Sequence, residues 1–292
     1  MIDCPALKVT LLAELHANLA PKVSQIRATS ADHDSKAKAV NADVKVAVEQ
    51  VEQRLLAQFS TVTDRQTALL VLQYCASVVS LEYRHKVWPY EYMAFSRRVG
   101  ELWERFCKAC WDHPSRQHVE RISPPSFEQI KADIFHRIES NTVGATQRDQ
   151  ILDDVNLLLG LVGDINMKED EVFTVDGIPH VIDFKSGFGS NEKGNTLRLL
   201  AVGRAYRLWN PDTALYLLVR QEDNNNYLNV IRRNGLWGVH CAAGAYAKID
   251  ELTGALTANM RESIIDFEGD LSAQFMSDIG GQLADLRAYL RW

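Results

Sequence analysis

The chain has no run approaching the roughly 20 apolar residues that cross a bilayer, and no basic leader stands before its first apolar residues. Both absences predict a soluble, cytoplasmic protein with no membrane partner. Cysteine is scarce: Cys4, Cys75, Cys107, Cys110 and Cys241 form an odd set that fits thiols in a reducing compartment better than a disulfide framework. Positive charge is not in excess. The formal net charge of −6 argues against coating nucleic acid along the whole surface, yet it permits a local basic cleft. There is no internal repeat, no low-complexity segment, no Gly-rich phosphate loop, no G-x-S-x-G and no H-E-x-x-H, so nucleotide hydrolysis and serine or zinc proteolysis have no support.

What is present is a core-forming composition. With 292 residues and 46% hydrophobic side chains, the chain can bury one large core or two modest ones. Residues 5 to about 85 carry helical periodicity in "LLAELHANLA", "VKVAVEQVEQRLLAQF" and "TALLVLQYCASVVSLEY", with "SADHDSK" as a polar break. "VWPYEY" interrupts it, and a further helix, "AFSRRVGELWERFCKACW", ends near Pro114. Helices around 126–140 and 148–160 follow. The pattern then changes: "DINMKEDEVFTVDGIPHVIDFKSG" reads as strand, turn and strand about Asp176, Gly177 and Pro179. A helix "TLRLLAVGRAYRLW" leads to two more expected strands, "TALYLLVRQ" and "YLNVIRRN", on either side of "EDNNN", and the tail from about 261 is helical. The expectation is α/β or α+β with a mixed central sheet, a helical region over 1–90 for dimerisation or DNA contact, and a second domain over 91–292.

Within "VIDFKSGFGS", Asp183 and Lys185 share one face of a strand while Ile182 and Phe184 point to the other. Alone, this tripeptide describes an edge strand with a solvated ion pair of little value. A second carboxylate, Asp164 in "LVGDIN", changes its weight. If the chain from Asp164 returns through the turn at Asp176 and Gly177, two acids from neighbouring strand ends can hold a hard divalent cation. A lysine on the same face can then orient or deprotonate water and stabilise charge developing on phosphorus.

"GDIN" followed by "PHVIDFKSG" resembles the signature of the PD-(D/E)xK nuclease superfamily, which includes type II restriction endonucleases, Holliday-junction resolvases and RecB-like exonucleases. The resemblance implies a restriction-endonuclease-like sheet flanked by helices, with Asp164 and Asp183 as Mg²⁺-binding acids and Lys185 as the catalytic lysine. Gly163 stands where the family has proline. Asp170, Glu171 and Asp176 also fall between the two halves of the motif. Many members add a helical glutamate in a G-x-x-x-E pattern, which Gly100 and Glu104 match; Glu128 and Glu139 are rivals. On that helix Phe95, Val99, Leu102, Phe106 and Cys110 form the apolar stripe, and the plain reading of Glu104 is an i,i+4 pair with Lys108.

The resemblance further implies a Mg²⁺-dependent endonuclease leaving 5′-phosphate and 3′-hydroxyl ends, most like a type II restriction enzyme cutting double-stranded DNA as a homodimer. Ser186, Lys193, Arg198 and Arg204 are the candidate DNA contacts, because the helix "KGNTLRLLAVGRAYR" carries no acid. Of the Gln and Tyr that RecB-like members place on this helix, only Tyr206 has a match. The glycines of "SGFGSNEKGN" suit a loop at a substrate cleft. Cys107, Cys110, His113 and His118 have zinc-like spacing but read better as buried thiols and surface imidazoles. His180, before the D-x-K strand, reads as structural. The alternatives are a repair, junction-processing or phage-defence nuclease of the same fold, and a non-catalytic nucleic-acid-binding or helical interaction protein.

Overall fold

The computed structural model describes residues 2–140, 144–163, 165–187, 193–222, 224–281 and 286–292, arranged as two compact units. The first comprises 1–117 and 241–292, and the second 118–240. Among the described residues no helix is long and apolar enough to cross a membrane.

The first unit opens with three long helices, α1 (Cys4–Ala28), α2 (His33–Gln58) and α3 (Val62–Val87). Asp3, Asp32 and Thr61 cap them by accepting from the backbone N–H of Ala6, Ser35 and Asp64. Leu11, Leu15, Leu19 and Val23 form the buried stripe of α1, and Val40, Val44, Val51 and Leu55 that of α2. The third helix is buried along most of its length and packs against both. Pro89 then separates it from α4 (Tyr92–Lys108), whose stripe of Phe95, Val99, Leu102 and Phe106 is buried as its periodicity predicts.

In the second unit β1 (Val119–Arg121), α5 (Phe127–Glu139) and α6 (Ala145–Val162) precede a β2–β3 hairpin (Glu171–Val175 and Ile178–Lys185). They are followed by α7 (Lys193–Trp209), β4 (Ala214–Val219), α8 (Asn226–Asn234) and β5 (Gly238–Cys241). The chain ends with α9 (Ala243–Thr253), α10 (Thr257–Ser263), α11 (Phe267–Asp270) and α12 (Ala273–Gly280), which return to the first unit. The reason is specific contact: Tyr74 Oη donates to Asp270 Oδ2 at 2.6 Å, Lys8 Nζ lies 2.8 Å from the same oxygen, and Trp103 Nε1 donates to Tyr246 Oη at 2.9 Å. The units therefore differ from an expected division near residue 90. Residues 91–117 and the tail share the core of the helical front.

The sheet has the order β1-β2-β3-β4-β5, antiparallel from β1 to β3 and parallel between β3 and β4. This is the mixed α/β arrangement expected. The hairpin turns on Asp176 and Gly177, both at positive φ (52° and 81°), between the paired residues Val175 and Ile178. That two-residue Asp-Gly turn matches the right-handed strand twist and sets the register of the pair.

One expected strand is a helix. "YLNVIRRN" forms α8, capped by Asn225, which accepts from Tyr227 N at 2.9 Å, and closed by Gly235 at φ 71°. Leu228 and Ile231 are its buried residues, a spacing of three that fits a helix rather than a half-buried strand. The strands β1 and β5, of three and four residues, are too short to show a periodic signal in the sequence.

Behind α8, Trp237 fixes the sheet-covering helix α7: its Nε1 donates to the Leu199 carbonyl at 2.8 Å. Gly203 permits this approach, since a Cβ there would stand 2.6 Å from Trp237 Nε1 and 2.8 Å from Leu236 Cδ2. Gly203→Ala gains about 1 kcal/mol of helix propensity but overpacks a buried indole at a cost of about 1–3 kcal/mol. We expect net destabilisation, read as a lower urea midpoint. A midpoint at or above that of the wild type would show that Trp237 does not hold the helix.

Candidate active site

The strand β3 is third of five, hydrogen-bonded to β2 on one side and β4 on the other. Asp183 is therefore not on an edge, and only 2% of it is exposed. A buried carboxylate must be paired or it pays a desolvation cost of several kcal/mol. Asp183 has two cationic partners: Lys185 Nζ donates to Oδ1, and Arg198 Nη2 donates to Oδ2 at 2.5 Å. The lysine reaches from the same strand face, as alternation predicts, and the arginine from the first turns of α7. Backbone pairing continues past Lys185, with Arg220 N donating to its carbonyl at 2.9 Å, so the lysine stands at the carboxyl end of a parallel strand pair. In open α/β sheets that end is where ligands are received.

Arg198 also reaches a second acid. Its Nη1 lies 2.9 Å from Glu169 Oε1, and the Glu169 side chain has no exposed surface. Among the described residues Glu169 Oε2 accepts no hydrogen bond of good geometry. Burial raises the Glu169 pKa, opposed by the neighbouring Tyr206 hydroxyl and by Arg198. Burial also works against the charge on Arg198, but Asp183 and Glu169 outweigh it and hold the guanidinium above its ordinary pKa. Burial, then the charge of Glu169, raises the pKa of Tyr206 well above the usual phenol range; its hydroxyl donates to the Met167 carbonyl at 3.2 Å. Next to Glu169, Asp170 Oδ2 accepts from Phe184 N at 2.7 Å and anchors the incoming chain against the end of β3.

The structure thus brings together Asp183, Lys185 and Arg198, three of the predicted residues, and adds Glu169 and Asp170. Asp164, expected as the first acid, lies outside the described residues. The hairpin could have pointed to the additions. Since Glu171 pairs with Ile182, counting back from the Asp176–Gly177 turn places Asp170 opposite Asp183 and Glu169 one step further. Glu171 itself is the buried partner of Arg121, bonded through both oxygens at 2.8 and 2.9 Å.

Glu104 lies on α4 in the helical unit, where Lys108 Nζ donates to it at 2.7 Å across one turn, the plain i,i+4 pair. Glu128 is paired with Lys131, three residues on. Ser186 accepts from Arg220 Nη2 at 2.9 Å, Lys193 and Arg204 are exposed on α7, and part of the "SGFGSNEKGN" loop, 188–192, lies outside the described residues. His180 is structural: its Nδ1 donates to the Ile178 carbonyl at 2.8 Å and its ring stacks between Phe173 and Tyr216. Cys107 and Cys110 are buried, and burial pushes the Cys107 thiol well up, away from the thiolate a metal needs.

Among the described residues no group of three or more His, Cys, Asp or Glu side chains is placed to hold a metal ion. Two acids nevertheless converge on one cationic position, because a single guanidinium touches both Asp183 and Glu169. Two enclosed carboxylates drawn to one position are a donor set that fits Mg²⁺, which binds through one or two carboxylates and keeps several waters.

The raised Glu169 pKa has a consequence for stability. The folded chain holds this proton more tightly than the unfolded chain, so the contribution is complete below the ordinary carboxyl range and is lost as pH rises through the folded pKa. We expect the melting temperature of the wild type to fall relative to that of Glu169→Gln as pH is raised from about 4 to about 7. Parallel melting curves across that range would contradict it.

Compared with protein-family models, with curated proteins and with solved structures, the chain matches none.

Proposed function

We propose that the chain is a Mg²⁺-dependent DNA endonuclease of the PD-(D/E)xK type. The observation that carries this reading is the end of β3: a buried carboxylate on a central strand, its lysine on the same face, and a second acid drawn to the same cation. Asp183 and Glu169 would hold the ion, with Asp164 as the third acid. Such an ion would supply positive charge to the phosphoryl oxygens and acidity to water. Asp183 is held rigidly by strand pairing on both sides, so its oxygens are preorganised. Lys185, one-fifth exposed at its side chain, can reach solvent from that anchor to orient the attacking water and stabilise charge building on phosphorus. Lys193 and Arg204, exposed on α7, add positive charge to the helix that carries Arg198 despite the net charge of −6.

Within this class, we read the protein as a type II restriction enzyme that cuts both strands as a homodimer, leaving 5′-phosphate and 3′-hydroxyl ends. A two-fold assembly suits a palindromic site.

Plasmid cleavage tests both levels. Mg²⁺ is expected to support cutting and EDTA to stop it, and Asp183→Ala or Lys185→Ala to lose about 10²–10⁴-fold in rate while retaining the fold by circular dichroism. Glu169→Ala and Asp164→Ala assign the first acid. Discrete fragments mark restriction, whereas a smear, or action only on branched or single-stranded DNA, assigns the chain to repair, junction processing or phage defence. Undiminished cutting by both the Asp183 and Lys185 variants would overturn the site. DNA retention without Mn²⁺ binding would make the chain a non-catalytic binder.

A further inference from the structure

Arg198 bridges Asp183 and Glu169, the two acids that the proposed function assigns to the ion. Its Nη2 lies 2.5 Å from Asp183 Oδ2 and its Nη1 lies 2.9 Å from Glu169 Oε1, so one planar fork spans both acids. An ion on those same two oxygens would stand at contact distance from the guanidinium, and two like charges there compete for Asp183 Oδ2 and Glu169 Oε1. The arginine cannot yield by losing its proton, since guanidinium stays charged in proteins. It can yield only by moving.

Its surroundings allow that movement. The Arg198 side chain is 40% exposed, whereas Asp183 and Glu169 are enclosed, so the acids stay and the arginine has an open side. Its remaining contact is weak, Nε to Asn195 Oδ1 at 3.4 Å. A guanidinium displaced from two carboxylates needs another anion, and a phosphodiester offers the same bidentate geometry. DNA phosphate is the one substrate group that the proposed reaction brings to this end of the sheet.

We propose that Arg198 is a phosphate-sensing positioning residue: it holds Asp183 and Glu169 together without metal, and exchanges them for a DNA phosphate when the ion enters. Metal entry and DNA binding are thereby coupled, each favouring the other. The proposal rests on the reading of Asp183 and Glu169 as metal-holding acids.

The test is Mn²⁺ binding to the full chain, followed by electron paramagnetic resonance of the free ion, with and without a short DNA duplex in which cleavage is blocked by phosphorothioates. Without DNA, Arg198→Gln is expected to bind Mn²⁺ about tenfold more tightly than the wild type, a coupling of ordinary size. The duplex should tighten Mn²⁺ binding by the wild type about tenfold and leave the Arg198→Gln affinity nearly unchanged. Arg198→Lys, which keeps the charge but loses the fork, should fall between the two and guards against a folding defect in the first variant. Equal or weaker Mn²⁺ binding by both variants, with Asp183→Ala abolishing it, would overturn the exchange while leaving the metal site in place. Binding by the wild type that Asp183→Ala does not diminish would overturn the site reading and this inference together.

Discussion

A carboxylate enclosed on the third of five strands sets the terms for everything around it. Asp183 is 2% exposed, and a strand hydrogen-bonded on both sides gives it no way to turn toward solvent. Two cations reach it, one from its own strand and one from α7. Breaking such a buried pair by removing one partner typically costs about 3–5 kcal/mol, which makes the placing of α7 a condition of stability as well as of any activity. The Trp237 indole against Gly203 and the Tyr206 hydroxyl on the Met167 carbonyl serve that placement. The same helix joins two parallel strands, and such a crossover requires a long connection packed on the sheet.

The elements that were legible in the sequence are those whose signal is local. The long front helices follow from stripes such as Leu11, Leu15 and Leu19, and the hairpin from Asp176–Gly177, the dipeptide that tolerates two successive positive φ values. Asp183 and Lys185 were found because a D-x-K spacing survives translation into a shared strand face. What escaped is non-local or short. Nothing near Asp270 signals that its carboxylate meets Tyr74 and Lys8, so the return of the tail to the helical front could not be read. The three residues of β1 are too few for periodicity, and "YLNVIRRN" is rich in β-formers yet buries Leu228 and Ile231 on a helix face fixed by the Asn225 cap. Tertiary packing overrides propensity there.

The site itself was half legible. Motif likeness directed attention to Asp164, whereas register directs it to Asp170 and Glu169, whose spacing from Asp183 is set by a two-residue turn. In the sequence Arg198 is one of four basic residues on a helix without acids, a pattern that shows its charge but not its inward reach to Asp183. Its sequence separation from Glu169 and Asp183 hides the contact, because only the crossover brings the first turns of α7 over the end of β3.

Taken together, Asp183, Glu169, Lys185 and Arg198 carry two negative and two positive charges in one small volume. A site of bare acids would repel itself and would raise the cost of folding before any metal arrived. Internal cations remove that burden and let the sheet close around the acids. The compensation has a chemical price, since each oxygen neutralised by a side chain is an oxygen less available to a metal ion. Lys185 holds one Asp183 oxygen with its head one-fifth exposed, whereas Arg198 holds one oxygen of each acid and so links the two. The residue that compensates both acids in the fold is therefore the one on which the proposed exchange turns, since a guanidinium leaving two carboxylates finds an equivalent bidentate partner in a phosphate.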